Sequence, residues 1–134
     1  MKTTYALIDD DTFFATWLNE IVQRVSPLLT HIGTFSETVA AAKGITRLKP
    51  DILFLDMQID TFDGLELLDL LDYRPLTIVV SGSDDYQERA KSLGVLDYLT
   101  KPVSPDALEV AVGRALWLIR AEHARQEIKL RQSQ

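Results

Sequence analysis

The sequence contains no cysteine, which rules out disulfides and thiolate metal sites and agrees with a reducing compartment. It has no apolar run approaching the roughly 20 residues that span a bilayer. Asp9 and Asp10 already interrupt the first ten residues, so the amino terminus does not read as a signal peptide. A cytoplasmic protein with no membrane partner is expected. Positive charge is also scarce: 14 Lys and Arg stand against 20 Asp and Glu, a net charge of -6. Phosphate backbones are bound by clustered Lys and Arg, so nucleic acid is not expected as a direct partner of this chain. There is no internal repeat, low-complexity tract or Gly/Ser linker. At 134 residues and 46% hydrophobic, the chain suffices for one sizeable core but is short for two ordinary domains.

Short apolar runs alternate with longer segments of helical periodicity, and the alternation repeats five times. This pattern predicts a doubly wound α/β fold with a parallel sheet. The expected strands are Tyr5–Asp9, Leu28–Gly33, Asp51–Asp56, Leu76–Ser81 and Val95–Leu99, all but the second nearly continuous in apolar residues. Such runs belong to strands covered on both faces. The first helix carries Phe13, Phe14, Trp17, Leu18, Ile21 and Val22 at helical spacing, and all six are expected in the core. A second helix is expected from about Ser36 to Leu48, ending at Lys49-Pro50. A third opens at Asp63-Gly64-Leu65-Glu66, and a fourth spans about Asp84 to Ser92 before Gly94. The fifth opens at Ser104-Pro105-Asp106 and extends to about Arg131.

Ligands of open parallel sheets bind beyond the carboxyl ends of the strands. Strand one ends in Asp9-Asp10-Asp11, strand three in Asp56 and strand four in Ser81, with Lys101 close after strand five. Clustered carboxylates repel unless a cation neutralises them, and Mg²⁺, a hard cation that takes carboxylate and phosphate oxygens, is the natural candidate. A carboxylate can also act as a nucleophile and form an aspartyl phosphate. Mg²⁺, Lys101 and the Ser81 hydroxyl would then meet the charge on the phosphoryl oxygens. Taken singly, Asp11 or Thr12 reads as a helix cap, Ser81 as a loop hydroxyl and Lys101 as a surface charge. Asp56 closes the run Ile52-Leu53-Phe54-Leu55, where a lone acid is costly. His31 and His123 lie away from the acids and read as structural or solvated.

These residues resemble the receiver domain of bacterial two-component response regulators, over residues 4 to about 120. The carrying motifs are Tyr5-Ala6-Leu7-Ile8 before Asp9-Asp10, Asp56 followed by Asp63-Gly64-Leu65, Val79-Val80-Ser81-Gly82, and Asp97-Tyr98-Leu99-Thr100-Lys101-Pro102. The resemblance implies a flavodoxin-like strand order 2-1-3-4-5. It implies Asp56 as phosphoacceptor, with Asp10, Asp56 and the Gln58 backbone carbonyl on Mg²⁺ and Asp9 acting through water. Ser81 and Lys101 would hold phosphoryl oxygens, Tyr98 would be the switch aromatic, and the bond before Pro102 would be cis. The phosphoryl donor would be a sensor histidine kinase or phosphotransfer protein, and the chain a signalling phosphoacceptor rather than an enzyme. On this reading residues 1–120 form the receiver and 121–134 a helical extension. A narrower likeness, through Phe54-Leu55-Asp56-Met57-Gln58 and Val95-Leu96-Asp97-Tyr98, is to receivers joined to LytTR-type DNA-binding domains.

Asp60 departs from the family, which usually has proline four residues after the phosphoacceptor; it is expected to face solvent. Two rivals remain distinguishable. A haloacid-dehalogenase-type phosphatase would use Asp9 as nucleophile and Asp11 as acid, but it lacks a further acidic pair after the lysine and leaves Asp56 idle. A degenerate, phosphorylation-independent receiver would have lost an acid or the lysine, and none is lost here. Finally, Leu108, Val112, Ala115 and Ile119 should pack the fifth helix on the sheet, whereas Trp117, Ala121, Ala124 and Ile128 form a second stripe at coiled-coil spacing. That stripe fits pairing in a homodimer, a link to a further domain, or a frayed tail.

Overall fold

The computed structural model describes residues 2–59 and 62–133, and of Phe62 only the backbone. Asp60 therefore lies outside the described residues. Five parallel strands, β1 (Thr4–Ile8), β2 (Thr30–Phe35), β3 (Ile52–Leu55), β6 (Leu76–Ser81) and β7 (Asp97–Thr100), form one sheet in the order β2-β1-β3-β6-β7. Counting only these strands, the order is the 2-1-3-4-5 expected. A small antiparallel hairpin, β4 (Gln58–Ile59) with β5 (Phe62–Asp63), follows β3 in addition to the five expected strands. Its two-residue arms are too short to leave a periodic signal.

The alternation of side chains along each strand divides the core in two. Tyr5, Leu7, Ile52, Phe54, Ile78 and Val80 face helices α1 (Thr12–Val25) and α5 (Pro105–Gln132). Ala6, Ile8, Leu53, Leu55 and Val79 face α2 (Thr38–Leu48), α3 (Gly64–Asp69) and α4 (Gln87–Ser92). Burial on both faces is why these strands are apolar throughout. The edge strand β2, with only partial burial, is more polar.

Helix starts follow their capping chemistry. Asp11 accepts from the Phe14 amide at 3.1 Å, Asp63 from the Glu66 amide at 2.9 Å and Ser104 from the Ala107 amide at 3.1 Å, each satisfying a donor that the first turn leaves free. Helix α2 ends where Lys49 takes the left-handed conformation, φ 49°. The Lys101-Pro102 bond is cis.

Three expectations are corrected. Phe13 is 89% and Trp17 37% exposed. The buried stripe of α1 runs through Ala15, Leu18, Ile21 and Val22, with Phe14 packed against it. Phe13 and Trp17 share the spacing but fall off the side of the helix that meets the sheet. Strand β2 begins at Thr30, two residues after Leu28, because Ser26 to Leu29 form a turn in which the Leu29 amide donates to the Ser26 carbonyl at 3.1 Å. Helix α4 begins at Gln87 instead of Asp84, since Asp84 opens the preceding turn and its side chain accepts from Thr100 Oγ1 at 2.7 Å.

Candidate functional site

The parallel register places the acidic residues side by side. Ile8 pairs with Leu55, so the next residues, Asp9 and Asp56, leave the sheet together. The Asp56 amide donates to the Ile8 carbonyl at 2.9 Å and the Asp9 amide to the Phe35 carbonyl at 3.0 Å, extending both ladders by one residue. On the other side the Lys101 amide donates to the Ser81 carbonyl at 2.7 Å. Four strand ends thus deliver Asp9, Asp56, Ser81 and Lys101 to one crevice, with Asp10 on its rim. Gly64 allows the next loop to pass directly behind Asp56: a Cβ there would stand 2.2 Å from the Asp56 carbonyl oxygen.

Carboxylate oxygens of Asp9, Asp10 and Asp56 lie within 4.8 Å of one another. Asp9 and Asp56 are buried and Asp10 is exposed. The Lys101 ammonium sits 3.1 Å from Asp9 Oδ2 and 3.8 Å from Asp56 Oδ2, above the Phe14 ring at 4.2 Å from its centre. One cation therefore faces three acids. Burial, and next the neighbouring Asp9 charge, push the Asp56 carboxyl up to about 6; Lys101 and the Gln58 amide, 3.5 Å from Asp56 Oδ1, act against this rise. A hard divalent cation fits this donor set, since it would relieve the repulsion that Lys101 leaves uncompensated.

Asp10 and Asp56 open onto a cavity of about 350 Å³ lined also by Gln58, Ser81, Tyr86 and Lys101, with Gly82 and Ser83 at its edge. Ser81 is buried, and its Oγ accepts from the Ser83 amide at 3.2 Å. A Cβ on Gly82 would meet nothing within 4 Å, so this rim is open. Tyr98 stands outside the cavity, half-buried on the α4 side of the core, and its hydroxyl donates to the Ser83 carbonyl at 2.5 Å. It is already turned inward and linked through the Ser81–Ser83 turn to the cavity wall. Asp11 serves as the cap of α1, leaving the phosphatase-type arrangement without its free acid. His31 bonds to Thr34 Oγ1 at 2.8 Å and borders, with Asp9, a separate cavity.

Two participants carried no sequence signal. Tyr86 reaches the cavity mouth and accepts from Gln58 Nε2 at 3.1 Å, a contact set by where α4 starts. Phe14 reads as an ordinary core aromatic, yet its ring carries the Lys101 ammonium.

A sequence model of the response regulator receiver domain matches residues 6–113. The chain belongs to the response-regulator receiver family. It is similar to an uncharacterized response regulatory protein of Vibrio cholerae, 38% identical over 82% of this chain and 47% of that protein. It also resembles the transcriptional regulatory protein BtsR of Escherichia coli, 30% identical over 92% of this chain and 51% of that protein. This receiver therefore spans about half the length of the curated relatives it matches. Among solved structures, the REC domain of AraT, a response regulator from Geobacillus stearothermophilus, superposes with a TM-score of 0.82 at 25% identity, over 92% of this chain and 99% of that one. The response regulator domain of Thermotoga maritima CheB superposes with a TM-score of 0.70 at 24% identity, over 94% and 96%.

Proposed function

We propose that this two-component receiver accepts a phosphoryl group on Asp56 from a phosphohistidine of a sensor kinase or phosphotransfer protein. The observation that carries the reading is the meeting of Asp9, Asp10 and Asp56 within 4.8 Å, with the Lys101 ammonium between Asp9 and Asp56. An Asp56 carboxylate oxygen attacks phosphorus, forming a P–O bond as the P–N bond of the donor breaks and its electron pair leaves with the imidazole. Lys101 moves from carboxylate partner to phosphoryl-oxygen partner, and the Ser81 hydroxyl, on the cavity wall, donates to a second oxygen. Asp9, Asp10, Asp56 and the Gln58 carbonyl would hold Mg²⁺, which when bound supplies charge neutralisation for the acids and the phosphoryl oxygens.

The hydroxyl contact draws Ser81 and the following turn inward, and Tyr98, bonded to Ser83, senses that turn. The chain acts as a signalling phosphoacceptor in the cytoplasm, with residues 1–120 as the receiver and 121–134 as an extension of α5. Nucleic acid binding, if part of the output, belongs to another domain. No helix among the described residues is long and apolar enough to cross a membrane.

Intact mass after incubation with acetyl phosphate and Mg²⁺ tests the proposal. One added phosphoryl is expected in the parent chain and none in Asp56→Asn. An acid-labile phosphoryl kept at parental level by Asp56→Asn would overturn the assignment.

A further inference from the structure

Helix α5 has 28 residues, about 42 Å, and its two sides face different surroundings. Leu108, Val112 and Ala115 are buried against the sheet, and Ile119 is the last residue packed on that core. At about 100° per residue, Val110, Trp117, Ala121, Ala124 and Ile128 lie on the opposite side. A surface helix ordinarily turns charge outward there. Here Val110 is 63%, Trp117 68% and Ile128 56% exposed. Beyond Ile119 the helix continues for another three turns with no buried residue, and an unsupported segment of that length is marginal in water.

We propose that this outward stripe packs antiparallel on the same stripe of a second copy of the chain, with Trp117 against Ile128 and Ala121 against Ala124 of the second copy. The inference is independent of the phosphotransfer reading. The flanking charges select both the occupant and its direction. With Ala121 and Ile128 at a positions and Trp117 and Ala124 at d positions, Arg120 and Glu127 occupy g positions, and Leu118 and Arg125 occupy e positions. A parallel pair sets each Arg120 against Arg125 of the second copy, a repulsion made twice. The antiparallel pair sets Arg120 against Glu127 of the second copy, an attraction made twice. Among the described residues Arg120 has no ion pair, and Glu127 is engaged only with exposed Arg131 at 3.0 Å, a contact easily exchanged. The two alanines let the helices approach closely in the middle, while Trp117 and Ile128 fill each end. Because the stripe lies opposite the sheet-facing side, the two bodies end on outer faces and do not compete for space.

Sedimentation equilibrium of the whole chain at several concentrations provides the test. A monomer–dimer equilibrium is expected, and Trp117→Glu should weaken it at least tenfold or so. Arg120→Glu should weaken it roughly tenfold by placing Glu against Glu127 twice, and adding Glu127→Arg should restore it to within about threefold. All three positions are exposed, so circular dichroism and the thermal midpoint of the monomer should stay at parental values. A tighter dimer in Arg120→Glu would mean parallel pairing and would overturn the proposal. So would a concentration-independent monomer in the parent, which would leave the stripe to another domain.

Discussion

The carboxyl edge of the sheet and the far half of α5 depart from ordinary burial in opposite directions. At the edge, charged groups are taken out of water: Asp9 and Asp56 are buried and share one lysine, with the Asp10 carboxylate within 4.8 Å of both. On α5, apolar groups are left in water: Trp117 and Ile128 are more than half exposed. Neither arrangement stabilises the isolated chain. The first is held in place by strand register and the second by helix continuity, and each becomes favourable only when something else arrives. A cation and a phosphoryl group suit the edge, and an apolar surface suits the stripe. Where a fold enforces a local cost, that is the place to look for a partner.

The largest effect is expected at Asp56. Asp56→Asn should lose phosphoryl incorporation entirely, read by intact mass, while the metal-free protein at about pH 7.5 gains roughly 1–3 kcal/mol in urea unfolding because a carboxylate destabilised by burial is gone. A less stable Asn variant would show that the edge is not under charge strain. Next in size is metal affinity. Asp10→Asn should weaken Mg²⁺ binding by about 10- to 100-fold in a thermal-shift titration, since it removes one of three metal-directed charges.

Packing separates the two sides of α5. Leu108→Ala should cost about 2–5 kcal/mol by urea unfolding, as a fully buried side chain. Ile128→Ala, at a concentration where the chain is monomeric, should change stability by no more than about 0.5 kcal/mol. Equal losses would place Ile128 in the monomer's own core. The same buried charge gives a pH dependence. The Asp56 carboxyl is raised from 3.8 to about 6 in the folded state, so between those values the native state holds more proton than the unfolded chain. Its contribution therefore makes the metal-free protein more stable as pH falls from about 7 toward about 4, and less stable as pH rises through 6. Urea midpoints across that range, parent minus Asp56→Asn, should show this component, and saturating Mg²⁺ should suppress it.

Much of the site was legible because strand ends are legible. An acid that closes an apolar run marks the end of a buried strand, and parallel topology then sends all such ends to one edge. Asp9, Asp56, Ser81 and Lys101 all follow from that rule or stand within two residues of a strand end. What periodicity missed were directions. Phe13 and Phe14 are adjacent and chemically alike, yet one faces solvent and the other supports the Lys101 ammonium, because only the docking angle of α1 decides which side meets the sheet. Tyr86 entered the cavity wall through the length of the turn before α4, a boundary that Asp84 obscured by serving the turn instead of the helix.

Local spacing along the chain dictates the order of elements, the caps at Asp11, Asp63 and Ser104, the acids that end strands, and the two apolar stripes of α5. These depend on neighbours within a few residues along the chain, where spacing is geometry. Only the tertiary structure decided that Lys101 sits nearer Asp9 than Asp56, that Tyr98 bonds to Ser83, and that the stripe through Trp117 faces away from the body. Those outcomes follow from strand register and helix docking across dozens of residues, and distances of that kind are fixed only when the sheet has closed.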